Sequence, residues 1–100
     1  MNIQITCRKF KAHDRLKEFI NDELKTLEKY HDGIMDVEVI LSYVGVEDSD
    51  KIAEIIATVP GKTLTVTETS EEFQKSVALA IEKMETQLKK YKDKKTDPRN

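Results

Sequence analysis

Apolar residues recur with a period of two in two stretches of this chain and with helical spacing in two, with a β-branched run and a threonine-rich stretch before the last helix, in the order strand, helix, three strands, helix. Few architectures cover all six apolar faces at once, so this order sets the fold before any single motif is considered. Ile3, Ile5 and Cys7 alternate with Asn2, Gln4 and Thr6, which predicts a half-buried strand over residues 2–7. Leu16, Phe19, Ile20, Leu24, Leu27 and Tyr30 fall at helical spacing with Gly33 just beyond, which predicts a helix over about 13–31. A second strand follows from Met35, Val37, Val39, Leu41 and Tyr43 alternating with Asp36, Glu38, Ile40 and Ser42. After Gly45 and the acidic stretch Glu47-Asp48-Ser49-Asp50, a β-branched run at 52–59, the Pro60-Gly61 turn and residues 63–67 read as a hairpin.

The last element closes the fold. Ser70 stands where it could cap a helix opening on Glu71 and Glu72, and Phe73, Val77, Ala80, Ile81, Met84, Leu88 and Tyr91 keep to one face. A helix over about 71–92 long enough to lie across the sheet is expected, and the residues from Asp93 on are expected to fray. The resulting class is α+β, order β-α-β-β-β-α, a four-stranded sheet with two helices packed on one face. The other sheet face is left to Gln4, Thr6, Glu38, Ser42, Thr58, Thr63, Thr65 and Thr67. A length of 100 residues suits one domain, expected over 1–95 with a flexible tail at 96–100.

Function classes narrow by what the residues lack. With three glycines there is no phosphate-binding Gly-rich loop, and neither a nucleophile elbow nor a Cys/His set with metal spacing occurs. His13 and His31 bracket the first helix about 27 Å apart at the helical rise, too far to share a ligand, and read as helix-end residues. The acidic loop lacks the glycine and later glutamate of a calcium loop and reads as a solvated connection. Catalysis is therefore the weakest reading, and no cofactor or metal is implied. Cys7, the one cysteine, cannot form an intrachain disulfide and reads as a small hydrophobe on a strand. No apolar run approaches membrane-spanning length and the start does not look like a signal peptide, so a cytoplasmic protein is expected.

The net charge of −2 hides an uneven distribution. Residues 1–31 hold seven Lys/Arg against five Asp/Glu and residues 89–99 hold six against two, while 32–88 hold twelve acids and four bases. A polyanion would have to approach where the two ends meet. On the last helix, at about 100° per residue, Lys75, Lys83 and Lys90 share a flank away from the apolar stripe, extended by Lys89, Lys92, Lys94 and Lys95. The first helix presents Arg15, Lys17, Lys25 and Lys29 outward but interleaves them with Glu18, Asp22 and Glu28, a mixed face that reads as solvent-exposed with weak pairs such as Lys25 with Glu28. Cations projecting together from a rigid surface suit a phosphate backbone, and structured RNA is commonly bound by shape and phosphate position.

The opening Met1-Asn2-Ile3-Gln4-Ile5-Thr6, the stretch Leu16-Lys17-Glu18-Phe19-Ile20 with Leu27-Glu28-Lys29-Tyr30, and the run from Ile81 to Lys94 resemble the ribosome hibernation promoting factors, also called ribosome-associated inhibitors or sigma-54 modulation proteins. The resemblance covers residues 1 to about 95 and is to the short type, without the dimerisation domain of long members. It implies the same β-α-β-β-β-α domain, and it implies a role: the basic helical side sits between head and body of the small ribosomal subunit, on ribosomal RNA, where messenger and transfer RNA would lie. Translation is blocked sterically. The basic positions matching the family pattern are Lys17, Lys83, Lys90, Lys92 and Lys94, whereas Glu23 and Thr26 stand where members often have lysine and Glu72-Phe73-Gln74 replaces the usual Asp-Met-Tyr. The partners so implied are the small subunit and its RNA, with no membrane or DNA, for a protein monomeric away from the ribosome. The competing reading is a protein-interaction module whose acidic middle or open sheet face meets a basic partner.

Overall fold

A computed structural model describes residues 1–31 and 33–96, with the side chains of residues 30 and 93–96 outside the description. The elements are β1 (Asn2–Cys7), α1 (Asp14–Tyr30), β2 (Asp36–Val44), β3 (Asp50–Val59), β4 (Lys62–Ser70) and α2 (Phe73–Thr96). They form one four-stranded sheet of order β1-β2-β3-β4. β1 runs parallel to β2, with Ile3 opposite Val37 and Ile5 opposite Val39, and the crossover between them is α1. β2 and β3 are antiparallel, as are β3 and β4, whose two-residue turn at Pro60-Gly61 uses Gly61 at φ +78°.

α2 lies against β3 and β4 with α1 beside it on the same sheet face. Leu16, Ile20, Leu24 and Leu27 of α1 and Val77, Ala80, Met84 and Leu88 of α2 join Val37, Val39, Leu41, Ile55 and Val66 in one core. Each large aliphatic side chain fully removed from water there contributes roughly 1.5–3 kcal/mol. The alternation and the helical stripes thus place the residues as expected, with differences at the element ends. Met35 is 54% exposed, because β2 begins one residue later and Ile34 takes the buried place. α2 starts at Phe73 rather than 71, since β4 extends through Ser70, and its backbone stays helical to Thr96, where fraying from Asp93 was expected. Residues 97–100, which make up most of the expected tail, lie outside the described residues.

Both histidines close helix ends. The Leu16 amide donates to His13 Nδ1 (3.3 Å), so the imidazole caps α1, and the His31 amide donates to the Leu27 carbonyl (3.1 Å). Ser70 acts differently from the expected cap. Its hydroxyl accepts from the Glu72 amide (3.3 Å) and lies 2.6 Å from the Ser76 hydroxyl, which itself donates to the Lys51 carbonyl (2.6 Å). Ser76 is fully buried, and this contact ties the first turn of α2 to the start of β3. The acidic connection between β2 and β3 is exposed and contains a short 3-10 turn at Val46–Asp48.

Candidate nucleic-acid interface

Because β1 and β2 are parallel, α1 runs opposite to them, and two antiparallel steps later α2 runs the same way. The helices are therefore side by side and parallel. Thr26 Oγ1 lies 3.3 Å from Glu85 Oε1, and the rings of His31 and Tyr91 are 5.3 Å apart, which sets the end of α1 beside residues 85–91 of α2. The Tyr91 hydroxyl donates to the Pro60 carbonyl (2.5 Å) and brings the β3–β4 turn, with Lys62, to this end. Here the exposed Lys29, Lys89 and Lys92 surround the C-terminal halves of two helices, where the backbone dipole favours cations.

Lys83 and Lys90 occupy the flank of α2 that faces β4, as shown by Gln87 donating to the Thr65 carbonyl (3.5 Å) one turn away. Lys83 is not uncommitted. Its Nζ lies 2.8 Å from Glu68 Oε2, with the lysine side chain 63% exposed and the glutamate 19%, so the pair staples α2 to β4. Lys75 sits in the first turn of α2, 3.2 Å from Glu71. A hydrogen bond from its own backbone, and then Lys75, hold the Glu71 carboxyl below the ordinary carboxylate range. Lys25 pairs loosely with Asp22 at 3.9 Å rather than with the expected Glu28. Lys17 is exposed near the start of α1, away from the lysine-rich end, and Lys94 and Lys95 carry side chains outside the description. The structure thus gathers Lys29, Lys89, Lys90 and Lys92, with Lys25 one turn back from Lys29 on α1, and separates Lys17 and Lys75 from them.

A second basic group contains three residues not singled out from the sequence, Arg8, Lys9 and Lys11. Arg8, Lys9, Lys11 and Arg15 are exposed at the opposite end of the helix layer, around an aromatic cluster in which Phe10 stacks on Phe73 (5.0 Å, 15°) and tilts against Tyr43 (5.5 Å). The Lys51 ammonium lies 5.2 Å from the Tyr43 ring centroid and 5.7 Å from that of Phe73. Lys9 adopts a left-handed backbone (φ +67°), with its carbonyl held by the Tyr43 hydroxyl at 3.0 Å. The run Arg8-Lys9-Phe10-Lys11, three bases interleaved with an aromatic residue directly after a strand, is the local signal that marks it.

Acids dominate the far side of the sheet. Asp36, Glu38, Asp50 and Glu54 share the strand positions that point away from the helices, and no strand position on that face of β2, β3 or β4 carries a base. The molecule is consequently uneven across its two layers, with a basic α2 and a mixed α1 over an acidic sheet face.

Residues 3–96 match the family model described as sigma 54 modulation protein / S30EA ribosomal protein. The chain belongs to this family. Within it, the chain is 29% identical over 103 residues to a ribosome hibernation promotion factor of Lactococcus lactis subsp. cremoris, covering 99% of this chain and 50% of that one. It is 25% identical to a ribosome hibernation promoting factor of Azotobacter vinelandii over 97% of this chain and 88% of the relative. The chain thus spans half the length of the Lactococcus relative and most of the Azotobacter one. Among solved structures, a ribosomal subunit interface protein from Coxiella burnetii superposes with a TM-score of 0.84 at 29% identity, covering 93% of this chain and 99% of that one. The N-terminal domain of Protein Y from Thermus thermophilus does so with a TM-score of 0.81 at 28% identity, covering 91% and 99%. The S30EA fold is thus the β-α-β-β-β-α sheet with two helices on one face described above.

Proposed function

We propose that this S30EA-family chain binds the small ribosomal subunit through its helix layer, in the channel where messenger and transfer RNA would lie, and so holds the ribosome idle. The observation that carries this is the parallel packing of α1 and α2, which draws Lys29, Lys89, Lys90 and Lys92 to one end of a layer whose opposite sheet face is acidic. A phosphate-lined channel attracts the first surface and repels the second, so the charge pattern orients the protein on RNA without sequence reading. Lys83 adds to the contact once its pair with Glu68 is exchanged for a phosphate, and Lys94 and Lys95 continue the basic run. Arg8, Lys9 and Lys11 supply a second anchoring point at the far end of the helices. The relatives named as hibernation factors and the Coxiella subunit interface protein support a ribosomal partner.

In this reading the chain acts by occupying space, not by catalysis, in the cytoplasm and as a monomer away from the ribosome, and it has no use for DNA or a cofactor. Cell-free translation tests it. Added chain should lower peptide synthesis in a way that excess messenger RNA relieves, and the combined variant Lys83→Glu, Lys90→Glu, Lys92→Glu should be inert. Equal inhibition by the wild type and that variant would overturn the assignment of the α2 flank.

A further inference from the structure

The face of the sheet opposite the helices has a composition that solvent exposure alone does not require. Register places Ser42 opposite Ile52, Ile40 opposite Glu54, and Glu38 opposite Ile56, so Ile52, Ile40 and Ile56 form a diagonal aliphatic stripe across the two central strands. All three are partly exposed, and Val44, 52% exposed, prolongs the stripe toward the β2–β3 connection. Acids alternate with this stripe at Asp36, Glu38, Asp50 and Glu54. Asn2 Nδ2 bonds Asp36 (3.1 Å) and Thr6 Oγ1 bonds Glu38 (3.4 Å), both neutral partners, and Glu54 has no ion-pair partner among the described residues. At one end Asp36, Glu38, Ile56 and Thr58 line a shallow cleft that extends to Gln4 on β1.

We propose that this face is a second docking surface, for an extended polypeptide segment that carries Lys or Arg and aliphatic residues in turn at every second position. Charge complementarity selects that occupant. Four carboxylates with no opposing cation among the described residues repel RNA and anionic lipid, and a second copy packed sheet against sheet would set acids against acids. A cationic segment without apolar side chains would leave the isoleucine stripe unused. The strip from Asp36 to Val44 is about 27 Å long at the strand rise, which fits roughly eight extended residues whose alternate side chains meet the face at its own period of two. The surface is separate from the basic helix layer and stands whether or not that layer binds the ribosome, so both could be occupied at once.

The test is a titration of the isotope-labelled full chain, followed by amide shifts, with a ten-residue synthetic peptide repeating Lys-Ser-Val-Ser, so that lysine and valine share one side of the extended peptide. Amides of Ile40, Glu54 and Ile56 should move together. The double variant Glu38→Gln, Glu54→Gln, which keeps side-chain shape, should bind about tenfold more weakly, while Lys83→Glu should bind as the wild type does. The same peptide with serine in place of valine should also be weaker by about tenfold, because the aliphatic contact is lost. The proposal is overturned if the valine-containing peptide shifts amides across the whole surface, if the double variant binds it equally well, if the valine-free peptide binds as tightly, or if a single-stranded RNA oligonucleotide shifts the same amides.

Discussion

Replacing Glu68 by glutamine should tighten binding to small ribosomal subunits, because it releases Lys83 from an acidic partner on β4. In the free protein Lys83 Nζ is held 2.8 Å from Glu68 Oε2. To meet a phosphate the lysine must give up that pair or share it. The lysine is 63% exposed, so water and salt screen the interaction, and a pair of this kind contributes about 0.2–1 kcal/mol. Removing the competition therefore raises affinity by about 1.4- to 5-fold at low salt, since each 1.4 kcal/mol is a factor of ten. If Lys83 then engages a phosphate it did not reach before, the slope of log affinity against log salt steepens by about 0.7–0.9. Fluorescence anisotropy of labelled protein with purified small subunits, across a potassium chloride series, reads both quantities. A double-mutant cycle with Lys83→Ala isolates the pair: Glu68→Gln should have no effect once Lys83 is gone. Equal tightening by Glu68→Gln in the presence and absence of Lys83 would refute the reasoning, since the glutamate would then act on RNA directly. Unchanged affinity and slope in the single variant would remove Lys83 from the interface.

Two further outcomes concern the frame that positions the lysines. His13→Ala removes the side-chain acceptor at the start of α1 and should lower stability by about 0.5–1 kcal/mol in urea unfolding, whereas His13→Asp, a stronger cap placed at the positive helix end, should restore or exceed the wild-type value. Ser76→Ala deletes the buried hydroxyl that reaches the Lys51 carbonyl at 2.6 Å and should cost about 1–3 kcal/mol in the same assay, with the helix content of the folded state unchanged by circular dichroism.

Much of this architecture was legible in the sequence because a face with one dry side writes its period into the chain. Ile3, Ile5, Val37, Val39, Val77 and Met84 all lie where alternation or helical spacing put them. The misplacements occur where period gives no information. Ile34 and Met35 are adjacent and similarly apolar, so only the register with β3 decides which is buried. Ser70 had the residue type of a cap, but β4 continued through it and the serine took a partner six residues on. Isoleucines 52 and 56 belong to a β-branched run without alternation, so the sequence did not reveal which of them face away from the helices. Side-chain pairing was least visible. A helical wheel drew Lys83 onto a basic flank, yet nothing in the spacing of α2 points to Glu68, fifteen residues earlier on another element. The Arg8, Lys9 and Lys11 group escaped for a similar reason, since it joins the helix layer only through the crossover that carries α1 back along the sheet.

The central claim is that a lysine-bearing helix layer holds this chain on the small subunit by phosphate contacts, and the salt dependence of that association tests it most directly. If Lys29, Lys83, Lys89, Lys90 and Lys92 each displace counterions, co-sedimentation with small subunits should weaken by about 100-fold or more between roughly 50 and 200 mM monovalent salt. Charge reversal at Lys89, Lys90 and Lys92 should abolish it at the lower salt. Binding that is indifferent to salt, or that survives this reversal, would contradict the account.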